Sequence, residues 1–331
     1  MMKSRHSLVT IIKTAVLIVF AVFASHAPAK TSTIDRIVAF GASLSDTGNS
    51  FIWLSKPENQ ACGTSLNVPP YDALDEYLVP EGPYAMGGHH FTNGATWLEG
   101  LARYLALAGN ARPAFQNTGS KASNYAVGGA RAISNYPCRF NLPAQLNAYF
   151  EDFLKTSPNT LVTLEIGGND VRDALVAAAS GQDPAPIIAT ALSNLSEAIS
   201  TLYTHGARKF LVLNVPDIGK IPAVTMIPGA SDSASYLSGV FNDGLASVQK
   251  VMNSLPDNDV RILDIYSTLN KVIAQPSAFG FSNATDACVM PGQPPFKCKK
   301  PDTYVFWDGI HPTKAMHEIV AQQAIDAIAA P

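Results

Sequence analysis

The residues best suited to chemistry follow short apolar runs, at turns rich in Gly, Ser, Asp and Asn. The first of these turns contains Ser43, which follows Gly41 and precedes Asp46. A serine exposed by a glycine turn just past a buried strand is well placed to act as a nucleophile. A helix that starts there would direct backbone N–H groups at a developing anion. The alternative is that Ser43, Ser45 or Asp46 only caps that helix.

Two further turns carry groups that can bind an anion. Gly128 and Gly129 form a pair whose backbone N–H groups can approach a ligand without a Cβ atom in the way. Asn169 follows a second glycine pair, and its side-chain amide can donate to an oxyanion while Asp170 caps the next helix. Each segment is also ordinary turn sequence, so a purely structural role stays open for each one alone.

A carboxylate and an imidazole lie close together in a later turn. Asp308 and His311 are separated by only two residues, one of them a glycine, so the carboxylate can bond one imidazole nitrogen. That bond fixes the tautomer and leaves the other nitrogen available as a general base. Thr313 is predicted to cap the last helix. The alternative is a loop histidine without a chemical role.

These turns lie between predicted strands and helices that alternate along the chain. Short buried strands are predicted over residues 34–40, 123–127, 161–166, 210–215 and 260–265, and amphipathic helices over 94–108, 170–180, 189–205 and 313–329. This alternation predicts an α/β fold with a parallel sheet covered on both faces. Ligands of such sheets bind beyond the carboxyl ends of the strands, where Ser43, Gly129 and Asn169 follow their strands.

Composition favours one packed domain after the N-terminal segment. Hydrophobic residues make up 47% of the 331 residues, which supports a large core and excludes a disordered chain. Lys and Arg number 23 against 26 Asp and Glu, without a basic block, so no electrostatic footprint for nucleic acid is present. Residues 30–331 are predicted to form a single domain with loop insertions near 55–92 and 276–306.

Residues 1–29 are predicted to form a cleavable signal peptide. Lys3 and Arg5 precede an apolar run over residues 15–24, and Ala27-Pro28-Ala29 matches a small-residue cleavage site. The apolar run is much shorter than the roughly 20 residues that cross a bilayer, which disfavours an uncleaved anchor. We expect cleavage after Ala29 and a secreted or periplasmic protein.

The cysteines agree with export, since all of them follow this segment. They are Cys62, Cys138, Cys288 and Cys298. We favour the pairs Cys62–Cys138 and Cys288–Cys298 among the three possible pairings, the second pair closing a short Pro/Gly-rich loop. A zinc site is the alternative, but no Cys-x2-Cys pair supports it. No metal is predicted.

Taken together, the four turns resemble the conserved blocks of the SGNH (GDSL-type) serine hydrolase family. The matching stretches are Gly-x-Ser-Leu-Ser-Asp from Gly41, Asn-Tyr-Ala-x-Gly-Gly from Asn124, Gly-Gly-Asn-Asp from Gly167 and Asp-Gly-x-His-Pro-Thr from Asp308. The resemblance covers nearly the whole mature chain. It implies a flavodoxin-like three-layer α/β/α sandwich with a mostly parallel five-stranded sheet, and serine esterase or acyltransferase chemistry without a metal or cofactor.

The same resemblance implies a role for each candidate residue. Ser43 would be the nucleophile, His311 the base, and Asp308 the group that orients the base. The backbone N–H groups of Ser43 and Gly129 and the side chain of Asn169 would form the oxyanion hole. Ser43 would attack an ester carbonyl, and the acyl-enzyme would pass its acyl group to water or to another hydroxyl.

One position departs from the family pattern. The family name describes Gly-Asp-Ser-Leu, and this chain has Ala42 where the aspartate would stand. A carboxylate there would bond local backbone and fix the turn, which a methyl group cannot do. A non-catalytic binding relative therefore stays an alternative to a secreted esterase. An acyltransferase to a lipid alcohol and a carbohydrate O-acetylesterase are the other two.

The segment from Pro83 to Glu99 resembles bacterial lipolytic members of the family, which include secreted phospholipases, lysophospholipases and glycerophospholipid–cholesterol acyltransferases. This resemblance favours an ester or acyl-lipid substrate and a transient contact with a membrane surface. His89 and His90 raise the question of a metal, but adjacent histidines point in different directions and lack carboxylates nearby.

Overall fold

A parallel sheet lies at the centre of the fold. The computed structural model describes residues 34–57, 90–116, 121–133, 140–290 and 294–330. The regular strands of the main sheet are β1 (Arg36–Gly41), β2 (Thr160–Glu165), β3 (Lys209–Leu213) and β4 (Asp259–Leu263). They pair in parallel in that order. β1 and β2 are almost completely buried, as expected for strands covered on both faces.

An edge segment, residues 123–127, lies along the other side of β1 without forming a regular strand. The Ala39 N–H donates to Ser123 O at 3.0 Å, and the Tyr125 N–H donates to Ala39 O at 2.7 Å. These bonds follow the parallel pattern. Counted with this segment, the strand order is 2-1-3-4-5, the order of flavodoxin-like sheets. The predicted five-stranded sheet therefore consists of four regular strands and one irregular edge.

Helices cover the sheet in the predicted three-layer arrangement. Within the described residues they are α1 (Asn49–Ser55), α2 (Trp97–Tyr104), α3 (Leu142–Asp152), α4 (Gly168–Ala179), α5 (Ala185–Thr204), α6 (Pro222–Thr225), α7 (Ala230–Met252), α8 (Ile265–Ala274) and α9 (Lys314–Ala329). Helices α4, α5 and α7 pack together, and α2 packs against α9. In the part of the chain that the structure describes, no helix combines the length and hydropathy that a membrane span needs.

Local interactions determine where helices begin and end. The predicted helix over 94–108 is shorter in the structure, because a capping box between Thr96 and Glu99 sets its start at Trp97. Ala106, at φ 58°, lies in the left-handed region and cannot continue it. Helix α9 begins as predicted, with the Thr313 hydroxyl accepting from the Met316 N–H at 3.4 Å.

The predicted loop insertion at 276–306 contains a second, smaller sheet. Strands β5 (Asn283–Ala287) and β6 (Tyr304–Phe306) pair in parallel. The predicted disulfide between Cys288 and Cys298 is present, with Cα atoms 4.8 Å apart. Trp307 packs in a small buried cluster with Cys288. This cluster supports the turn that begins at Asp308.

Several predictions fall outside the described residues. They concern the signal peptide over 1–29, the pair Cys62–Cys138, His89, and most of the insertion near 55–92.

Candidate active site

Ser43 lies in the turn that follows β1, and its neighbours cap the next helix. The N–H groups of Ser45 and Asp46 donate to Ala42 O at 3.2 and 3.0 Å, which closes the turn. The Asp46 carboxylate accepts from the first N–H groups of α1, including that of Asn49 at 2.7 Å. The capping role that was the alternative for this segment therefore belongs to Asp46. The Ser43 hydroxyl is left available for chemistry.

Ser43, His311 and Asp308 form a continuous hydrogen-bonded array. His311 Nε2 is 2.9 Å from Ser43 Oγ, and His311 Nδ1 is 2.7 Å from Asp308 Oδ2. The second oxygen of Asp308 accepts the N–H groups of Ile310 and His311, each at 2.7 Å. These bonds fix the carboxylate against its own loop. His311 and Asp308 are only 2% and 1% exposed, so water does not compete for the imidazole–carboxylate bond.

The two glycines of the second turn have different roles. The Gly128 N–H donates to Asp46 Oδ2 and to Ser50 Oγ, both at 2.7 Å, and is fully used within the fold. Within the described ranges, by contrast, the N–H groups of Ser43 and Gly129 have no acceptor in the protein. These two donors are the ones that the sequence predicts for an oxyanion hole.

Asn169 is the third predicted donor, and the structure places it at the start of α4, almost buried. Its Nδ2 donates one hydrogen to Ala130 O at 2.9 Å, which leaves the second amide hydrogen for another acceptor. The prediction that Asp170 caps the helix is wrong, because its carboxylate instead accepts the Ala132 N–H at 3.1 Å. Burial raises the pKa of Asp170 to about 7. The bonds from Asn169 to Ala130 and from Ala132 to Asp170 connect α4 to the turn that contains Gly129.

Arg131 holds the glycine turn in place, and it was not identified from the sequence. Its Nη1 donates to Gly129 O at 2.6 Å, and its Nε and Nη2 bind the carboxylate of Asp173 at 2.6 and 2.7 Å. The guanidinium therefore fixes the peptide group of Gly129 relative to α4. No local signal marks this arginine, because Asp173 lies 42 residues along the chain.

Two other buried histidines, His90 and His317, contact helix α2. His90 Nε2 is 2.9 Å from the Glu99 carboxylate. His317 Nδ1 accepts the Trp97 N–H at 3.2 Å and so satisfies a free donor at the start of α2. Burial lowers the pKa of His317 to about 3, which keeps it neutral. Among the residues described, no group of three or more His, Cys, Asp or Glu side chains is arranged to hold a metal ion.

The arrangement is suited to acyl transfer. An imidazole bonded to a serine hydroxyl on one side and to a buried carboxylate on the other can accept the hydroxyl proton. Ser43 and Asn169 line the same pocket wall as His311, so donors from two separate turns are available beside that hydroxyl, where a tetrahedral oxyanion would form.

The chain matches a known family over most of its length. The sequence model described as GDSL-like Lipase/Acylhydrolase matches residues 37–324. The chain belongs to this family. It is accordingly a carboxylic ester hydrolase, and the predicted family is confirmed.

Relatives of this GDSL family hydrolase include plant proteins. It is 26% identical to the GDSL esterase/lipase At1g71250 of Arabidopsis thaliana, over 88% of this chain and 84% of the relative. A shorter match to At1g29660 of the same plant is 31% identical and spans 41% of this chain and 42% of that relative. Among solved structures, the extracellular lipase of Streptomyces rimosus is similar at 15% identity and a TM-score of 0.41, covering 88% of this chain and 99% of the lipase.

The pocket of this GDSL family hydrolase is mainly apolar. Ser43, His311 and Asn169 lie in its wall, and Arg172 is the one lysine or arginine among the described residues that line it. Arg172 Nη1 donates to Asn169 Oδ1 at 3.3 Å. The aliphatic part of the wall consists of Leu44, Ile166, Leu213, Val215, Ile218, Ile221 and Ile310.

Proposed function

We propose that this GDSL family hydrolase cleaves the ester bonds of acyl lipids through Ser43, His311 and Asp308. The observation that carries the proposal is the array from Ser43 Oγ through His311 to Asp308, with bonds of 2.9 and 2.7 Å. Ala42 raised the alternative of a non-catalytic relative. The intact hydrogen-bonded array favours a catalytic protein over a non-catalytic one.

The proposed reaction runs through an acyl-enzyme. Ser43 Oγ attacks the ester carbonyl carbon while its proton passes to His311 Nε2, and Asp308 stabilises the imidazolium. The oxyanion accepts hydrogen bonds from the N–H groups of Ser43 and Gly129 and from Asn169 Nδ2. Collapse expels the alcohol, which takes the proton from His311. Water then attacks the acyl-enzyme by the same route and releases the carboxylic acid.

The pocket supports an acyl lipid as the substrate. Its aliphatic wall can bury a hydrocarbon chain, because removing apolar surface from water is favourable at roughly 25 cal/mol per Å². Arg172 adds one cation beside this wall, and a guanidinium binds phosphate well. We therefore favour a phospholipid or lysophospholipid over a neutral ester.

We place this activity outside the cytoplasm. The proposal rests on the signal-peptide pattern of residues 1–29, with cleavage after Ala29 and residues 30–331 as the mature domain. An exported lipolytic enzyme would meet its substrate at a lipid surface by transient contact.

The experiment is hydrolysis of p-nitrophenyl esters from acetyl to palmitoyl by the mature protein, beside Ser43→Ala. We expect the variant to lose more than about 10⁴-fold in kcat, since removal of a triad nucleophile has effects of this size. Ser254→Ala, at an exposed serine, is the matched control and keeps the wild-type rate.

The chain-length profile separates the alternatives. A preference for longer acyl groups supports the lipolytic function, whereas a preference for acetyl supports an O-acetylesterase. A folded wild type that cleaves no ester, and that a fluorophosphonate does not label at Ser43, contradicts the proposal. Transfer of the acyl group to an added sterol would identify an acyltransferase.

A further inference from the structure

A buried carboxyl group lies beneath the turn of Ser43 and has no part in the mechanism above. Glu165 is the last residue of β2 and is only 8% exposed. Its Oε2 accepts the Ala42 N–H at 3.1 Å, an N–H that it shares with the Glu165 backbone carbonyl at 2.9 Å. Ser45, at the other end of the turn, lies close enough to this carboxyl group for its hydroxyl and N–H dipoles to favour the ionised form.

The contacts of Ser45 complete the arrangement. Ser45 Oγ accepts from Trp97 Nε1 at 3.1 Å, so the Ser45 hydroxyl hydrogen is available for Glu165. The Glu165 carboxyl group therefore bonds the turn over residues 42–45 at Ala42, the residue next to Ser43, and faces Ser45 at its other end.

The sheet geometry explains how a side chain from β2 reaches this turn. Gly41 and Glu165 are partners in the parallel register of β1 and β2. The two backbones approach so closely that a Cβ atom on Gly41 would lie 2.5 Å from Glu165 O. Glu165 also lines the same pocket wall as Ser43 and His311.

We propose that Glu165 is a positioning residue that holds the turn over residues 42–45, and with it Ser43 Oγ, in line with His311. It supplies from β2 the carboxyl group that the family pattern supplies at position 42. The methyl group of Ala42 accepts no hydrogen bond, so the turn depends on its neighbour strand. This inference rests on the proposed function of Ser43 as nucleophile.

The test compares Glu165→Leu and Glu165→Gln with the wild type on p-nitrophenyl esters. Leu fills the space without an acceptor, and we expect kcat to fall about 100-fold with KM almost unchanged, as for a misplaced nucleophile. Gln keeps one acceptor oxygen, so its loss is smaller, about tenfold. Rates are normalised to the sites that a fluorophosphonate labels, which removes any loss from misfolded protein. The exposed Glu197→Gln on α5 is the control and keeps the wild-type rate.

A reciprocal variant tests the replacement directly. In the Ala42→Asp background, a carboxyl group again stands at the position of the family pattern. Glu165→Leu should then cost at least tenfold less in kcat than it costs with Ala42, by the same positioning argument. A residue that only fills the core would show no such coupling.

Each outcome is decisive. A folded Glu165→Leu variant with wild-type kcat overturns the inference, as does an equal loss in both backgrounds. If Glu165→Leu does not fold, Glu165→Gln decides, and wild-type values of kcat and of the Ser43 labelling rate overturn it. Failure of the proposed function is distinguishable, because it would appear as an inactive wild type or an active Ser43→Ala.

Discussion

At the scale of single residues, four buried carboxyl groups organise the site. Asp308 binds the imidazole of His311, the proposed base, while Asp46 and Glu165 accept backbone N–H groups around Ser43, the proposed nucleophile. Asp170 does the same for Ala132 beside the glycine turn. Burial raises the pKa of Asp46, Glu165 and Asp170, because the charged form loses contact with water. The active-site turns are therefore tied by carboxyl–backbone bonds more than by ion pairs.

The role of Asn169 gives a prediction about catalysis. Asn169→Ala removes one of the proposed oxyanion donors, and kcat should fall by about 10²–10³ with little change in KM. The control is Asn194→Ala, because Asn194 Nδ2 donates to the same loop, at Ala132 O, from outside the pocket wall. Ester hydrolysis by both variants is the measurement. Equal losses would mean that Asn169 serves the loop and not the oxyanion.

Arg172 gives a prediction about the substrate. Arg172→Met should lower kcat/KM for a lysophosphatidic acid by about 10- to 100-fold, the size expected for a hydrogen bond to a charged group. Monoacylglycerol of the same chain length lacks the phosphate and should be unaffected. Arg103→Met, at an exposed position, is the control. An equal loss on both lipids would show that Arg172 acts through Asn169.

At the scale of secondary structure, the site lies where the sheet order reverses. The edge segment over residues 123–127 and β2 lie on opposite sides of β1. The turns that follow these three strands therefore open away from one another and leave a crevice, the usual ligand site of such sheets. Ser43 and Asn169 line this crevice from two separate turns.

The turn after β2 requires glycine at one position but not at the next. Gly167 has φ 117°, and a Cβ atom there would lie 2.3 Å from Phe241 Cζ. Gly168 has neither constraint. Gly167→Ala should reduce the free energy of unfolding by about 1–3 kcal/mol, and Gly168→Ala by clearly less. Urea unfolding of both variants is the measurement, and similar midpoints would contradict the assignment.

The strands and helices that could be predicted are those that a local sequence pattern marks. Three of the predicted strand segments are short, mainly apolar stretches that end at Gly, and the structure places all three in the sheet, residues 123–127 as the irregular edge. Helix α7 (Ala230–Met252) was missed, because its serines and glycines have low helix propensity and packing against α4 and α5 stabilises it. Helix α1 was expected after the Ser43 turn, and its acceptor Asp46, one of the three candidates for a cap, precedes the helix by three residues.

At the scale of the whole molecule, the site residues form two groups: those that sequence motifs identify and those that only the structure reveals. Ser43, Asp308 and His311 belong to motifs whose joint order is specific, and the structure brings them together. Glu165 and Arg131 carry no motif, because their partners lie on other elements. A glutamate ending a buried strand, among otherwise uncharged residues, was nevertheless a visible anomaly.

The stability of the whole fold should depend on pH through Glu165. Burial raises its pKa from 4.5 to about 8, so the native state favours the protonated form. Stability from this group is complete below about pH 4.5 and is lost as pH rises through about 8. Among the described residues, His311 acts on Glu165 because its positive charge favours the ionised carboxyl group, and Arg172 lines the same pocket wall.

Glu165→Gln removes this dependence. The Tm of the wild type should therefore fall relative to that of the variant between pH 4.5 and 8. Asp170 shifts in the same direction but is present in both proteins, so the difference isolates Glu165. Thermal melts from pH 4 to about 9 make the comparison, and parallel curves would refute the expectation.

The bond between Ser43 and His311 joins residues 268 positions apart in the chain. No shorter stretch of polypeptide contains both the proposed nucleophile and the proposed base. A chain that is still being synthesised, or that crosses a membrane unfolded, therefore has no esterase activity. Closing so long a loop costs conformational entropy, and the packing of the sheet against its helices offsets that cost. Hydrolysis is thus a property of the finished fold. During refolding, the time at which ester hydrolysis first appears would mark the completion of the fold.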